Sequence, residues 1–326
     1  MKITLLTYLE KEDADEYDVV VDQVAEALKG AGHKPSILGV HGDVNKLVSG
    51  LRRRKPDLVF NLMEMFGKNI RGDVAVAGLL ELLGVSFTGG GPGELYLRQD
   101  KGLAKKVLAF EKILYPDFAV FSQDDMETGG NLRMPLFVKP LRTDASIGIS
   151  GAKSLVRNGA AMMKQVLSIH ENLKDSALAE EYIEGREFYV GVLGNGTAKA
   201  FPPIEMDFSG LPEGAPHVLD SKAKWAENSA EFKGTKSVMA SVSDEVRARL
   251  QEVSLSAYRA LRVRDYGRVD LRLTETGDIY VIEVNANCYL ERTGEFAVAA
   301  EAAGIPYESL VNQIAELAIE RHKQAT

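Results

Sequence analysis

The chain has 326 residues, 45% hydrophobic and 26% charged, a size and balance that fit about two or three globular domains. A formal charge of −8 and a pI near 5.4 argue against a nucleic-acid binder, and the basic run Arg52–Lys55 is read as charge placed at a helix end. One cysteine, Cys288, excludes an internal disulfide; no apolar run approaches a membrane span, the N-terminal segment lacks a signal-peptide pattern, and a cytoplasmic setting is expected.

The first hundred residues alternate strand and helix. "KITLLTY" reads as a buried strand and "DVVVDQVAEALKGAG" as an amphipathic helix ended by Gly30 and Gly32. "PSILGV" and "PDLVFNL" are further strands, "DVNKLVSGLRRR" and "GDVAVAGLLELLG" further helices, and "SFTG" a strand end. This rhythm predicts a parallel sheet covered by helices over residues 1–101. "GGGPGELYLRQDKG" breaks the rhythm, and residues 102–185 read as a small α+β unit. It holds the helix "LAKKVLAF", the strand "PLFVKP", a Gly/Ser loop, a helix and the strand "ALAEEYI". From 186 to 326 the strands lie in adjacent pairs: "EFYVGVL" and "TAKAFPPIEM" flank the turn "GNG". A long helix, a second hairpin and two helices follow.

The second hairpin, "YGRVDLRLTETGDIYVIEVNAN", carries the sharpest chemical signal. A turn at Thr276-Gly277 sets Asp270 opposite Glu283 and Arg268 opposite Asn285, all on one face. Val269, Leu271, Ile282 and Val284 then form the core face. Two carboxylates directly across a strand pair repel, and a divalent cation such as Mg²⁺ between them removes the penalty. A solvated face with ordinary surface charges satisfies the same pattern. Upstream, Lys139 ends an apolar strand and is followed by Thr143, Ser146, Gly148 and Ser150, a loop whose N–H groups and hydroxyls suit phosphate oxygens. It has neither P-loop nor dinucleotide-fold spacing. In "ALAEEYIEGREFYV" a strand ends at Ile183 and another opens at Glu187, a segment that suits either a hinge facing a nucleotide or a plain charged connection.

Taken together, "QDKGLAKKVL", "VKPLRTDASIGIS", "EEYIEGREFYV", "YGRVDLRL", "YVIEVNAN" and "AAEAAGIPYESLV" resemble the ATP-grasp enzymes, most of all the D-alanine–D-alanine ligase group, from about residue 57 onward. The resemblance implies an ATP-grasp fold: an N-terminal parallel-sheet α/β domain (1–101), a small central α+β domain (102–185) and a C-terminal antiparallel-sheet domain (186–326). It implies Lys101 and Lys139 on the ATP phosphates, Glu180, Glu181, Tyr182 and Ile183 along the adenine, and Glu187 on the ribose. Lys224 would close over the γ-phosphate. Asp270, Glu283 and Asn285 would ligate two Mg²⁺ ions, for which Mn²⁺ could substitute. Arg268 would face the developing negative charge, with Ser146 in the flexible loop beside it. The activity implied is ATP-dependent ligation of a carboxylate to an amine through an acyl phosphate. The partners are small molecules, without nucleic acid or membrane, and a homodimer is implied by resemblance alone.

Several segments depart from the family pattern. Its opening G-G-x-S-x-E is "LLTYLEKEDADEY" here, its H-G-x-x-G-E-D-G is "MEMFGKNIRGD", and its T-x-P-G-M-T-x-x-S is "ANCYLERTG" with Gly294 at the serine position. The nucleotide apparatus is kept while the substrate-facing motifs change, which predicts substrates other than two D-alanines. The alternatives are a D-alanine–D-alanine ligase with an altered pocket, a peptide- or protein-modifying ligase, and an ATP sensor without catalysis. Glu10, Glu12, Asp13, Asp15 and Glu16 read first as a solvated acidic loop and second as a preference for a cationic substrate. Arg292 stands in the altered carboxylate-binding segment and is a candidate to replace the missing serine. Cys288 is read as a pocket wall.

Overall fold

A computed structural model describes residues 1–12, 14, 16–129, 132–143, 149–226 and 228–325. The N-terminal region runs β1 (Lys2–Tyr8), α1 (Val19–Gly30), β2 (Lys34–Val40), α2 (Val44–Arg54), β3 (Leu58–Leu62) and α3 (Gly72–Leu82). Its sheet is parallel, in the order β2-β1-β3. The Asp18 and Asp43 carboxylates accept from the first free N–H groups of α1 and α2. α2 ends in Arg52, Arg53 and Arg54 with Lys55 left-handed, so the basic run is a helix terminus as expected. The anticipated strand at "SFTG" shrinks to one bridge, Val59 to Phe87. Two helices follow, α4 (Pro92–Gln99) and α5 (Lys101–Phe110), where one was anticipated. Pro92 opens α4, and Asp100 both ends it and caps α5 through the Leu103 N–H.

The central region contains β4 (Phe118–Phe121), β5 (Met126–Gly129), β6 (Leu136–Pro140), α6 (Gly151–Ser154), β7 (Leu155–Val156), α7 (Gly159–Leu173) and β8 (Ala177–Glu181). These strands make an antiparallel sheet ordered β5-β4-β8-β6-β7, and Val166 and Ile169 of α7 pack into its core. Only β6 and β8 were legible, because the others span four residues or fewer and give no alternation to read.

The C-terminal region runs β9 (Arg186–Leu193), β10 (Lys199–Ala200), β11 (Ile204–Asp207), α8 (Ser221–Trp225), α9 (Ala230–Gly234), β12 (Lys236–Met239), α10 (Asp244–Ala260), β13 (Tyr266–Leu273), β14 (Ile279–Ala286), α11 (Glu295–Ala302) and α12 (Tyr307–Ala325). The sheet is antiparallel, β12-β11-β9-β13-β14, with β10 also on β9. The single strand expected after "GNG" is two, broken at Pro202 and Pro203, which lack the N–H a ladder needs. α12 returns to α1, so that Leu310 and Ile314 share one core with Val24 of α1 and Met206 of β11. A buried polar junction fixes the N-terminal region on the C-terminal sheet. Asp265, fully buried, accepts from the Gly89 N–H (2.7 Å) and from Arg321 (2.8 Å). Gly89 has φ +84°, and a Cβ there would stand 2.1 Å from Asn287 Oδ1, so glycine is required.

Candidate active site

The β13–β14 hairpin has the expected register where it matters: Arg268 faces Asn285, Val269 faces Val284 and Asp270 faces Glu283. Nearer the turn the register shifts, with Leu271 opposite Val281 and Leu273 opposite Ile279. Ile282 is therefore the unpaired residue of a bulge, and Val281 rather than Ile282 takes the core position. The turn is also longer than two residues. Thr274 and Asp278 are bonded across it, and Gly277 is left-handed. The bulge compensates the longer turn, which is why the expected pairs survive.

On the site face the Arg268 guanidinium donates to both oxygens of Asp270 (2.7 and 3.0 Å), lies over the Tyr189 ring (4.5 Å) and reaches Glu295 (3.5 Å). The Asn285 amide donates to Asp270 Oδ2 (3.1 Å). Burial pushes the Asp270 carboxyl up to about 6; Arg268 opposes this and the Glu283 charge adds to it. For Glu283, burial works against the charged form, but the ammonium groups of Lys101, Lys139 and Lys224 outweigh it and hold the carboxyl at about 2. Among the described residues no group of three or more Asp, Glu, His or Cys side chains gathers as a metal cage. Two opposed carboxylates and a carboxamide are the donor set of a hard cation that shares phosphate and water oxygens, so Asp270, Glu283 and Asn285 fit Mg²⁺.

Beside this face lies a cluster of buried lysines. Lys101, at the start of α5, donates to the Thr143 carbonyl (3.3 Å) and sits 3.5 Å from Glu283. Lys139 of β6 and Lys105 of α5 approach the two oxygens of Glu180 at 2.6 and 2.9 Å, all three side chains buried. Burial lowers the Lys105 pKa, and the Glu180 charge opposes that. Four ammonium groups thus surround two carboxylates, Glu180 and Glu283, an excess of positive charge suited to polyphosphate. Lys224 stands on α8, whose preceding Asp220 accepts from the Gly151 and Ala223 N–H groups (both 2.9 Å), tying the Lys224 segment to the loop after Lys139. Ser146 lies outside the described residues.

The residues of the segment from Glu180 to Glu187 divide. The Glu180 carboxylate is committed to the two lysines, and Glu181 is held by Arg133 (2.9 and 3.1 Å). Tyr182, Ile183 and Glu187 converge instead on Arg272. Arg272 is 5% exposed, donates to the carbonyls of Gly185 (3.2 Å) and His217, pairs with Glu187, and lies over Tyr182 (5.4 Å). Its position two residues beyond Asp270 already put it on the site face. Lys105 was equally legible as Lys101 plus four on one helix. Arg272→Leu is expected to destabilise the fold by about 2 kcal/mol and to raise the KM for ATP, since the hinge carbonyls and Glu187 lose their donor. Urea unfolding and ATP titration check both.

The altered segment after Asn285 lines a cavity of about 870 Å³ with β1, β3 and the loop before α1; Asn287, Cys288, Tyr289 and Leu290 form one wall. Burial pushes the Cys288 thiol up to about 12, so near neutral pH it carries no thiolate. Iodoacetamide should leave Cys288 unmodified in the native protein and label it in denaturant, as intact mass would report. Arg292, the candidate for the role of the family serine, is engaged by α12. It pairs with Glu308 (2.8 Å) over the Tyr307 ring (4.4 Å).

A cluster of lysines between two antiparallel sheets, with an acidic hairpin on one side, is the arrangement an ATP-grasp enzyme has. The comparisons with known proteins agree. The family described as D-ala D-ala ligase C-terminus matches residues 99–316, and on that match the chain belongs to the D-alanine–D-alanine ligase family, ATP-dependent ligases that join a carboxylate to an amine. An uncharacterized protein, y4sG, of Sinorhizobium fredii is 32% identical over 93% of this chain and 88% of its own. The D-alanine–D-alanine ligase of Methylobacterium radiotolerans is 30% identical over 90% of each. The crystal structure of D-alanine–D-alanine ligase from Bacillus anthracis complexed with ATP matches all of both chains with a TM-score of 0.74 at 21% identity, a likeness of fold. No described helix is long and apolar enough to cross a membrane.

Proposed function

We propose that this ligase couples ATP cleavage to amide formation between an amino acid or related small acid and an amine. The carrying observation is Asp270 directly opposite Glu283, beside the lysine cluster. In this reading Lys101 and Lys139 bind ATP phosphates, with Lys105 holding Glu180 beside Lys139. Lys224 closes over the γ-phosphate. The strand end from Glu180 to Ile183 faces the base, and Glu187 faces the ribose. Asp270, Glu283 and Asn285 hold two Mg²⁺ ions, or Mn²⁺, which neutralise phosphate oxygens when bound. The substrate carboxylate attacks the γ-phosphorus and ADP leaves. The amine then attacks the acyl carbon, giving up a proton, and phosphate departs. Arg268, fixed by Asp270 and Glu295, offsets the charge that develops. The three regions divided near residues 101 and 185 act as the units that enclose the nucleotide, and a homodimer working on small molecules is part of the same reading.

A phosphate-release screen over pairs of amino acids and amines tests this, with Glu283→Gln as the blank. Tight Mg-ATP binding without ADP formation from any pair would favour a sensor instead. D-alanine as both substrates is a second reading, favoured by the names of curated relatives such as that of Methylobacterium radiotolerans. D-alanine-dependent ADP release decides it.

A further inference from the structure

The 870 Å³ cavity is several times the size of an alanine, and its charge is one-sided. Among the described residues Glu10, Glu16, Asp18 and Glu64 line it, against one ammonium, that of Lys11. Glu12, from the same acidic segment, does not belong to it: that side chain is spent on Lys46 (2.9 Å). Asp13 and Asp15 lie outside the described residues. Asp18 is held in place, since its carboxylate accepts from the Val20 N–H (2.9 Å) and from the Tyr289 hydroxyl (2.9 and 3.1 Å).

A separate feature marks the deep end. Asn61, 1% exposed at the end of β3, lines the same cavity. Its backbone N–H donates to Thr88 Oγ1 (2.9 Å) and its Oδ1 accepts from the Met63 N–H (3.3 Å), while its amide nitrogen has no hydrogen-bond partner among the described residues. A buried amide donor left unpaired is costly, and in a cavity it calls for an acceptor oxygen from a ligand. The cavity therefore asks for two things at once: an oxygen acceptor at the Asn61 end and positive charge near the carboxylates. Its wall at Asn287 and Cys288 continues directly from the Asn285 end of β14, so a molecule in it extends towards the reacting centre.

We propose that one of the two substrates is a diamino acid of the lysine or ornithine class. Its distal ammonium is met by Glu10, Glu16, Asp18 and Glu64, and an oxygen of its carboxyl or carbonyl group by Asn61. The proposal rests on the ligase reading above and names the substrate that the altered segments accept.

The test separates binding from turnover. Calorimetry on the full chain with Mg-ATP analogue present compares lysine, in both enantiomers, with norleucine, which keeps the chain length and lacks the charge. At low salt one enantiomer of lysine should bind about tenfold or more tighter than norleucine, and the preference should shrink in high salt as exposed carboxylates are screened. The double variant Glu16→Gln/Glu64→Gln should bring the preference to within about threefold, with thermal unfolding checking that the fold is kept. Equal binding of norleucine and lysine, or an unchanged preference in the double variant, would overturn the proposal. Phosphate release is then measured with the same amino acids. Charge-selective binding without ADP formation from any pair would leave the cavity assignment standing and sink the ligase reading. Release that is as fast with alanine or norleucine as with lysine would do the reverse.

Discussion

Glu283→Gln should lower kcat by a factor on the order of 10³ and raise the Mg²⁺ concentration needed for half-maximal rate. Glu283 stands across the strand pair from Asp270 and 3.5 Å from Lys101. Its charge is kept by Lys101, Lys139 and Lys224 against the cost of burial, so it is ionised throughout the working pH range. The amide has nearly the same shape but no charge. It would leave a cation with one carboxylate instead of two and the lysines with one anion fewer. Because the loss is electrostatic and local, unfolding by urea should change far less than the rate. Full activity in this variant would mean that the hairpin does not hold the metal.

Glu180→Gln should act on the fold instead. Its carboxylate lies between the ammonium groups of Lys105 and Lys139, and all three are buried. Removing the anion leaves two like charges in a site closed to water, which should cost about 3–5 kcal/mol of stability near neutral pH. The pH dependence follows from Lys105, whose pKa is lowered by burial even with Glu180 present. Without Glu180 it falls further, so between the folded and unfolded values the unfolded chain binds more protons and stability rises with pH. The deficit relative to the parent should therefore narrow as pH climbs towards the ordinary lysine range. A deficit that stayed constant, or a variant as stable as the parent in urea, would show that Glu180 does not neutralise this cluster.

The hairpin illustrates what could be read in advance. Alternation along β13 and β14 put Arg268, Asp270, Glu283 and Asn285 on one face, and the facing pairs were the observed ones. The bulge at Ile282 was not legible, because an alternating apolar run says nothing about where one strand gains a residue on its partner. In the lysine cluster, Lys101 and Lys139 were singled out by resemblance. The burial of Lys105 against Glu180, and the convergence of Tyr182, Ile183 and Glu187 on Arg272, appear only when α5, β6, β8 and β13 are brought together.

By itself, then, the sequence determined the βαβ rhythm of the first region, the hairpins of the last, and the acid pair opposed across β13 and β14. These depend on periodicity and turn residues over a few tens of positions. Tertiary structure decided which charges share a site. Glu12 turns away to Lys46 while Glu10, Glu16, Asp18 and Glu64 meet around one cavity, with Asn61 and Cys288 in its walls. Glu64 and Cys288 come together because β3 and β14 end on the same side of that cavity. Contacts of that kind are set by how two sheets pack, and local pattern carries no record of it.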